Sequence, residues 1–298
     1  MSRLLRFSTV LSVFLFLFCS LSSAATQDPL SPTQSRNVLE KRGKIGNRAI
    51  SESSGLVKSR RWLNLFWTHN DSGDGPRIFA IKGDGTNVDN GSTWNAGIQV
   101  TGAENIDWED IAIDDNGYLI IGDIGNNVSH RSLLALYRVR EPDPFRDQVT
   151  LPAETIAVYF PDRLGPAFDS EALFWAKGSI YLLTKTRGGT NTGLYRLDAN
   201  QPKGKEPLIR IGSFDFGAPV TAADASPDGR HLAVLTYRAV WLFERPVEKD
   251  NYLRGKRSSF SFRIWQCEAV CFDDGKLLIS NEGRRLFELD VGVLLPLK

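Results

Sequence analysis

Five polar residues stand at equivalent places in a repeated pattern: Ser54, Glu109, Glu171, Thr221 and Glu268. Each heads a short strand motif, in turn SGLV, EDIAI, EALFW, TAADA and EAVCF. Three carboxylates and two hydroxyls converging on one point repel strongly at reduced dielectric unless they are protonated, hydrated or bridged by a cation. An all-oxygen set of this charge suits Ca²⁺, with waters completing six to eight ligands, whereas tight octahedral Mg²⁺ fits a wide ring less well. Glu52, two residues before Ser54 and on the same side of the chain, is an alternative ligand to it. A hydrated tunnel lining without an ion is the competing reading of the same ring.

A second set of polar residues follows each motif: HNDSGD at 69–74, GDIGNN at 122–127, KTRGG at 185–189, TYR at 236–238 and SNEGRR at 280–285. From these loops come the candidate catalytic residues His69, Asp71, Asp123, Lys185, Arg187 and Arg238. Lys185, Arg187 and Arg238 suit the neutralisation of charge developing on an anionic substrate. His69, Asp71 or Asp123 would handle the proton. Asn, Asp and Gly also serve as ordinary turn residues after a strand, so these loops have a purely structural reading too. The sequence carries no lipase-type nucleophile elbow, phosphate-binding glycine loop, HExxH or EF-hand pattern.

The elements that must position these groups are strands. The five markers are separated by 55, 62, 50 and 47 residues. After each marker come a second apolar strand, a third (RIFAI, LLALYRV, GLYRLD, AVWLFE, RLFELD) and, in most units, a variable fourth. DDNG before Tyr118, PDG before Arg230 and DDG before Lys276 are hairpin signals, with Gly supplying positive φ. A period near fifty residues built from short strands predicts radially repeated four-stranded sheets, an all-β propeller of five blades, with six as the alternative. Only 30 residues follow Glu268, enough for three strands. Residues 37–47 are therefore expected to pair with RLFELD and close the ring.

The ring of Ser54, Glu109, Glu171, Thr221 and Glu268 resembles the central calcium site of five-bladed calcium-activated nucleotidases, the secreted apyrases. SEAL at Ser170 and CEAV at Cys267 resemble inner-strand motifs of β-propeller phytases and related phytase-like secreted proteins. The resemblance covers the architecture and these positions, and the flanking sequences do not match. It implies calcium-assisted hydrolysis of phosphate esters or anhydrides.

Residues 1–25 read as a cleaved export signal: Arg3 and Arg6, an apolar run from Val10 to Phe18, then small residues at Ser22–Ala25. That run is too short for a convincing membrane span. A Pro/Ser/Gln-rich leader at 26–36 precedes a single propeller domain over 37–298, secreted or periplasmic and monomeric. The 298-residue chain has 36 basic and 35 acidic residues, and loss of Arg3 and Arg6 with the signal leaves it nearly neutral. No basic stripe is available for nucleic acid or an anionic membrane. Cys267 and Cys271, four apart on one strand, are too distant for a disulfide and are expected to be buried free thiols. Two functions fit this reading: a calcium-dependent hydrolase of a small phosphorylated or other anionic substrate, and a non-catalytic propeller that binds a ligand or extracellular protein around a structural ion.

Overall fold

The structure, a computed structural model, describes residues 38–92, 96–127, 131–162, 169–186, 189–198, 204–247 and 250–294. The signal and leader expected over 1–36 lie outside the described residues. The described residues open with β1 (Leu39–Lys44) and then build antiparallel units in sequence order. The first is β2 (Gly55–Lys58), β3 (Leu65–His69), β4 (Arg77–Lys82) and the two-residue β5 (Ile98–Gln99). Next come β6 (Trp108–Ile113), β7 (Tyr118–Asp123), β8 (Leu134–Arg140) and β9 (Glu154–Tyr159). They are followed by β10 (Asp169–Ala176), β11 (Ser179–Lys185), β12 (Asn191–Leu197) and β13 (Lys205–Asp215). Parallel pairing of Lys205–Pro207 with Ala157–Tyr159 joins the outer strands β13 and β9, so these eight strands form one continuous sheet.

A further sheet contains β14 (Val220–Ala225), β15 (His231–Thr236), β16 (Ala239–Glu244) and β17 (Arg257–Ser261). The last holds β18 (Cys267–Asp273), β19 (Lys276–Asn281) and β20 (Arg285–Asp290), completed by β1 pairing antiparallel to β20. β1 thereby becomes the outer strand of that sheet, which leaves β20 no open ladder. The described non-strand elements include two short 3₁₀ turns, Tyr252–Arg254 and Val291–Val293.

Strand side chains alternate between two faces, and here both faces are buried. Ile111 and Ile113 pack with Trp67 and Ile78 of the preceding sheet. Ala112, between them, faces Leu173 and Leu182 of the following strands. The same arrangement continues through Phe174 against Val234 and Phe243, and through Leu235 against Val270 and Ile279. A fifth cluster sets Leu56 and Phe66 against Cys271 and Leu278, linking the last sheet to the first. The innermost strands lie side by side in the order β2, β6, β10, β14, β18 and back to β2. Sheets packed face to face around a central axis define a β-propeller.

Cys267 and Cys271 are free and buried, as their spacing predicts. Burial pushes the Cys267 thiol up to about 12 and that of Cys271 well above its ordinary value. Trp67 and Trp108 are fully buried between the first two units. Their indole N–H groups reach Glu141 Oε1 at 2.7 Å and the Glu104 carbonyl at 2.8 Å.

Candidate metal centre at the propeller mouth

Four of the five ring residues share one backbone feature. The ladder between the first and second strands slips between Trp108 and Asp110, Ser170 and Ala172, Val220 and Ala222, and Cys267 and Ala269. The extra residues are Glu109, Glu171, Thr221 and Glu268. A bulge residue is unpaired in the ladder, and its side chain is re-aimed away from the regular pleat. Ser54 precedes β2, with its N–H donating to the His69 carbonyl at 3.2 Å.

Five carboxylates gather in two close groups that share Glu109. Oxygens of Glu109, Asp169 and Glu171 lie within 4.8 Å of one another, as do oxygens of Asp71, Asp107 and Glu109. Oxygens on opposite sides of a Ca²⁺ ion stand roughly 4.6–5.2 Å apart, so both groups are compact enough to share a calcium. Glu109, Asp107, Asp169 and Glu171 are all buried, while Asp71 is half-buried. Glu109 Oε1 has no hydrogen-bond partner. Burial, then the charges of Glu171, Asp71, Asp107 and Asp169, push the Glu109 carboxyl well above the usual range. Glu171 is raised to about 7 by burial and Asp169, against the opposing pull of Lys185. Glu268 reaches about 8 through burial and the charges of Glu171 and Glu282.

The loop after β7 holds this cluster. Asn126 N donates to Asp169 Oδ1 at 2.9 Å and Asn127 N to Asp107 Oδ2 at 3.1 Å. Gly125 precedes them, and a Cβ there would collide with Glu109 Oε1 and the Asp107 carboxyl. Glycine is thus required for the loop to approach the acids this closely. Asp123 accepts the Asp107 N–H at 2.8 Å and is clamped by Arg131 through two bonds of 3.0 and 2.8 Å. Below the cluster, fully buried Asp110 accepts from Ile111 N, Leu173 N and Ala223 N. One carboxyl group therefore ties three innermost strands across the axis.

The other expected site residues divide. Lys185 Nζ pairs with Glu171 Oε1 at 2.8 Å and lies 5.6 Å over the Tyr237 ring. Burial would lower its pKa, but Glu171 outweighs that and holds it above the ordinary lysine range. Asp71 stands at the solvent side of the cluster, raised by burial and by Asp107 and Glu52. Arg238 is exposed on the turn between β15 and β16. Arg187 lies outside the described residues. Ser54 Oγ donates to the Glu109 carbonyl at 3.2 Å and Thr221 Oγ1 to the Cys267 carbonyl at 2.8 Å. Both hydroxyls thus stitch adjacent innermost strands, with their oxygens still able to accept.

His69 is placed differently from an acid–base group at a mouth. It is fully buried, edge-on to Trp108 with ring centroids 5.6 Å apart, and Nδ1 is 2.9 Å from the Asn70 carbonyl. Burial holds its pKa at about 4, so the imidazole is neutral at physiological pH. The proton-handling role expected of His69 therefore has no solvent path here. Asp107 and Asp169 were not singled out by the sequence reading. Their signal was present: Asp107-Trp108-Glu109 and Asp169-Ser170-Glu171 repeat the same D-x-E spacing in consecutive units.

No family model matches the chain, and no curated protein does. Among solved structures, a chain in the crystal structure of the mitotic checkpoint complex aligns over 91% of this chain and 68% of its own length, with 15% identity and a TM-score of 0.39. The crystal structure of selenomethionine-substituted virginiamycin B lyase from Staphylococcus aureus aligns over 79% of this chain, at 13% identity and a TM-score of 0.41. This chain spans 65% of that protein, slightly under two thirds. Among the described residues, no helix is long and apolar enough to cross a membrane.

Proposed function

We propose that the protein is an exported five-bladed propeller that binds Ca²⁺ at its mouth and hydrolyses a small phosphorylated substrate there. The observation that carries the cation reading is the buried, unpartnered Glu109 Oε1 facing carboxylates of Asp71, Asp107, Asp169 and Glu171. Buried like charges are tolerated only when protonated or neutralised, and a hard cation with oxygen ligands does the latter. The closed neighbour order of the innermost strands supports five blades, as does the completion of the last sheet by β1.

A bound Ca²⁺ supplies Lewis-acid polarisation of a phosphoryl oxygen. Asp71, the most accessible acid of the cluster, would hold the ion on its solvent side and orient the attacking water, whose oxygen bonds to phosphorus as the P–O bond to the leaving group breaks and whose proton passes to that leaving group. Arg238 offers an exposed guanidinium on the rim for an anionic group. Lys185 holds Glu171 in place rather than meeting the substrate.

A non-catalytic binding propeller is the second reading. What favours it is that Lys185 and Arg131 are both committed to carboxylates, on Glu171 and Asp123. A panel of phosphate monoesters, diesters and anhydrides, assayed with Ca²⁺ and with chelator, separates the two. Calcium-dependent turnover lost in Asp71→Asn supports the hydrolase. Calcium binding without turnover on any member sinks hydrolysis and leaves the binding module.

A further inference from the structure

The two carboxylate groups at the mouth share one member. Asp71, Asp107 and Glu109 form one triad, and Glu109, Asp169 and Glu171 form the other. They differ in access. The second is buried throughout, whereas the first ends on half-buried Asp71, which faces solvent. We propose that the mouth holds two divalent cations bridged by Glu109, a closed inner ion that fixes the blades and an open outer ion that takes ligand. This rests on the cation reading above and extends it from one ion to two.

Charge is the first argument. The two triads together contribute five carboxylates, against which Lys185 supplies one positive charge through Glu171. One divalent ion leaves this group two charges negative, while two ions bring it to neutrality. An uncompensated double charge among buried acids is costly at the low dielectric of such a site. Geometry is the second. Glu109 Oε1, on a residue only 4% exposed, has no hydrogen-bond partner. A carboxylate with an unsatisfied oxygen, common to two compact oxygen sets, is placed to bridge. The Asn126 and Asn127 N–H groups hold Asp169 and Asp107, one from each triad, so a single loop fixes both halves.

The two sites predict different behaviour. A closed set of protein oxygens makes a structural ion, and a site with open positions leaves room for water or ligand. The outer ion, under Asp71, would present those positions to an anionic oxygen such as that of a phosphoryl group. Paired cations of this kind can clamp one phosphate between them.

The test is calcium stoichiometry on the purified mature chain, stripped with chelator and desalted. Ca²⁺ alone is titrated calorimetrically, and bound metal is counted by mass spectrometry. Two ions per chain are expected, in two affinity classes. Asp71→Asn should weaken only the weaker class, by tenfold or more, while Asp169→Asn should weaken the tighter one. Melting of each variant without metal reports whether it folds, and Asp71→Asn, at a half-buried rim position, keeps the test usable if Asp169→Asn does not. One ion per chain would overturn the second site and leave the calcium-binding function standing. No bound ion would overturn both. Two ions with both affinities unchanged in Asp71→Asn would refute the assignment of the outer ion.

Discussion

Replacing Glu109 by Gln separates the needs of the cation from the needs of the fold. Without metal, burial and four neighbouring acids push the Glu109 carboxyl well above its ordinary range, which disfavours its charged form. Gln keeps its shape and puts an amide donor among carboxylates, where Oε1 now lacks any partner. The metal-free variant should therefore match or exceed wild-type stability, within about 1 kcal/mol or roughly 2–4 °C for a chain of this size. With calcium the sign reverses. Removing one partner of a buried charge pair costs about 3–5 kcal/mol. At about 1.4 kcal/mol per decade, calcium affinity should fall between about a hundredfold and a few thousandfold. The assay is differential scanning fluorimetry of both proteins, with chelator and across a calcium titration. Unchanged calcium stabilisation in Glu109→Gln would refute the reasoning, as would a metal-free variant melting far below wild type.

Three further outcomes follow from the same geometry. A carboxyl raised in the folded state binds more protons folded than unfolded, so its contribution to stability is present at low pH and is lost as pH rises through its folded value. Glu171, at about 7 against an ordinary 4.5, then costs the metal-free protein roughly 3 kcal/mol between pH 5 and pH 8. Chelator should accordingly lower the melting temperature more at pH 8 than at pH 5, and a chelator effect independent of pH would count against this. Gly125→Ala should weaken calcium binding at least tenfold, because its Cβ collides with Glu109 and Asp107, and titration calorimetry checks it. Trp67→Ala removes a fully buried indole between two sheets and should cost about 3–5 kcal/mol in a denaturant titration, with no specific effect on calcium affinity in the folded protein.

Much of this molecule can be read directly along the chain because strand repeats announce themselves locally. The turn signals DDNG, PDG and DDG fall where hairpins occur, with Gly117, Gly229 and Gly275 at positive φ. The leftover three strands after Glu268 required a fourth, and β1 supplies it. Less legible was the centre. Aligning motifs on their glycines finds equivalent residues but not the bulge that turns each one out of the ladder. It also cannot distinguish a hydroxyl used to bridge neighbouring strands, as in Ser54 and Thr221, from one turned to a ligand. A symmetric five-membered ring was the natural expectation. The structure adds Asp71, Asp107 and Asp169 to it, with oxygens close to those of Glu109 and Glu171. His69 shows the same limit, since a histidine at the end of a strand reads as accessible until the packing of Trp108 is known.

Thermal melting of the protein with excess chelator, then with Ca²⁺ or Mg²⁺ restored, tests the central claim most directly. The account predicts a fall on chelation that Ca²⁺ reverses and Mg²⁺ does not. An unchanged melting temperature throughout would contradict it and leave the acidic mouth as a protonated, hydrated lining.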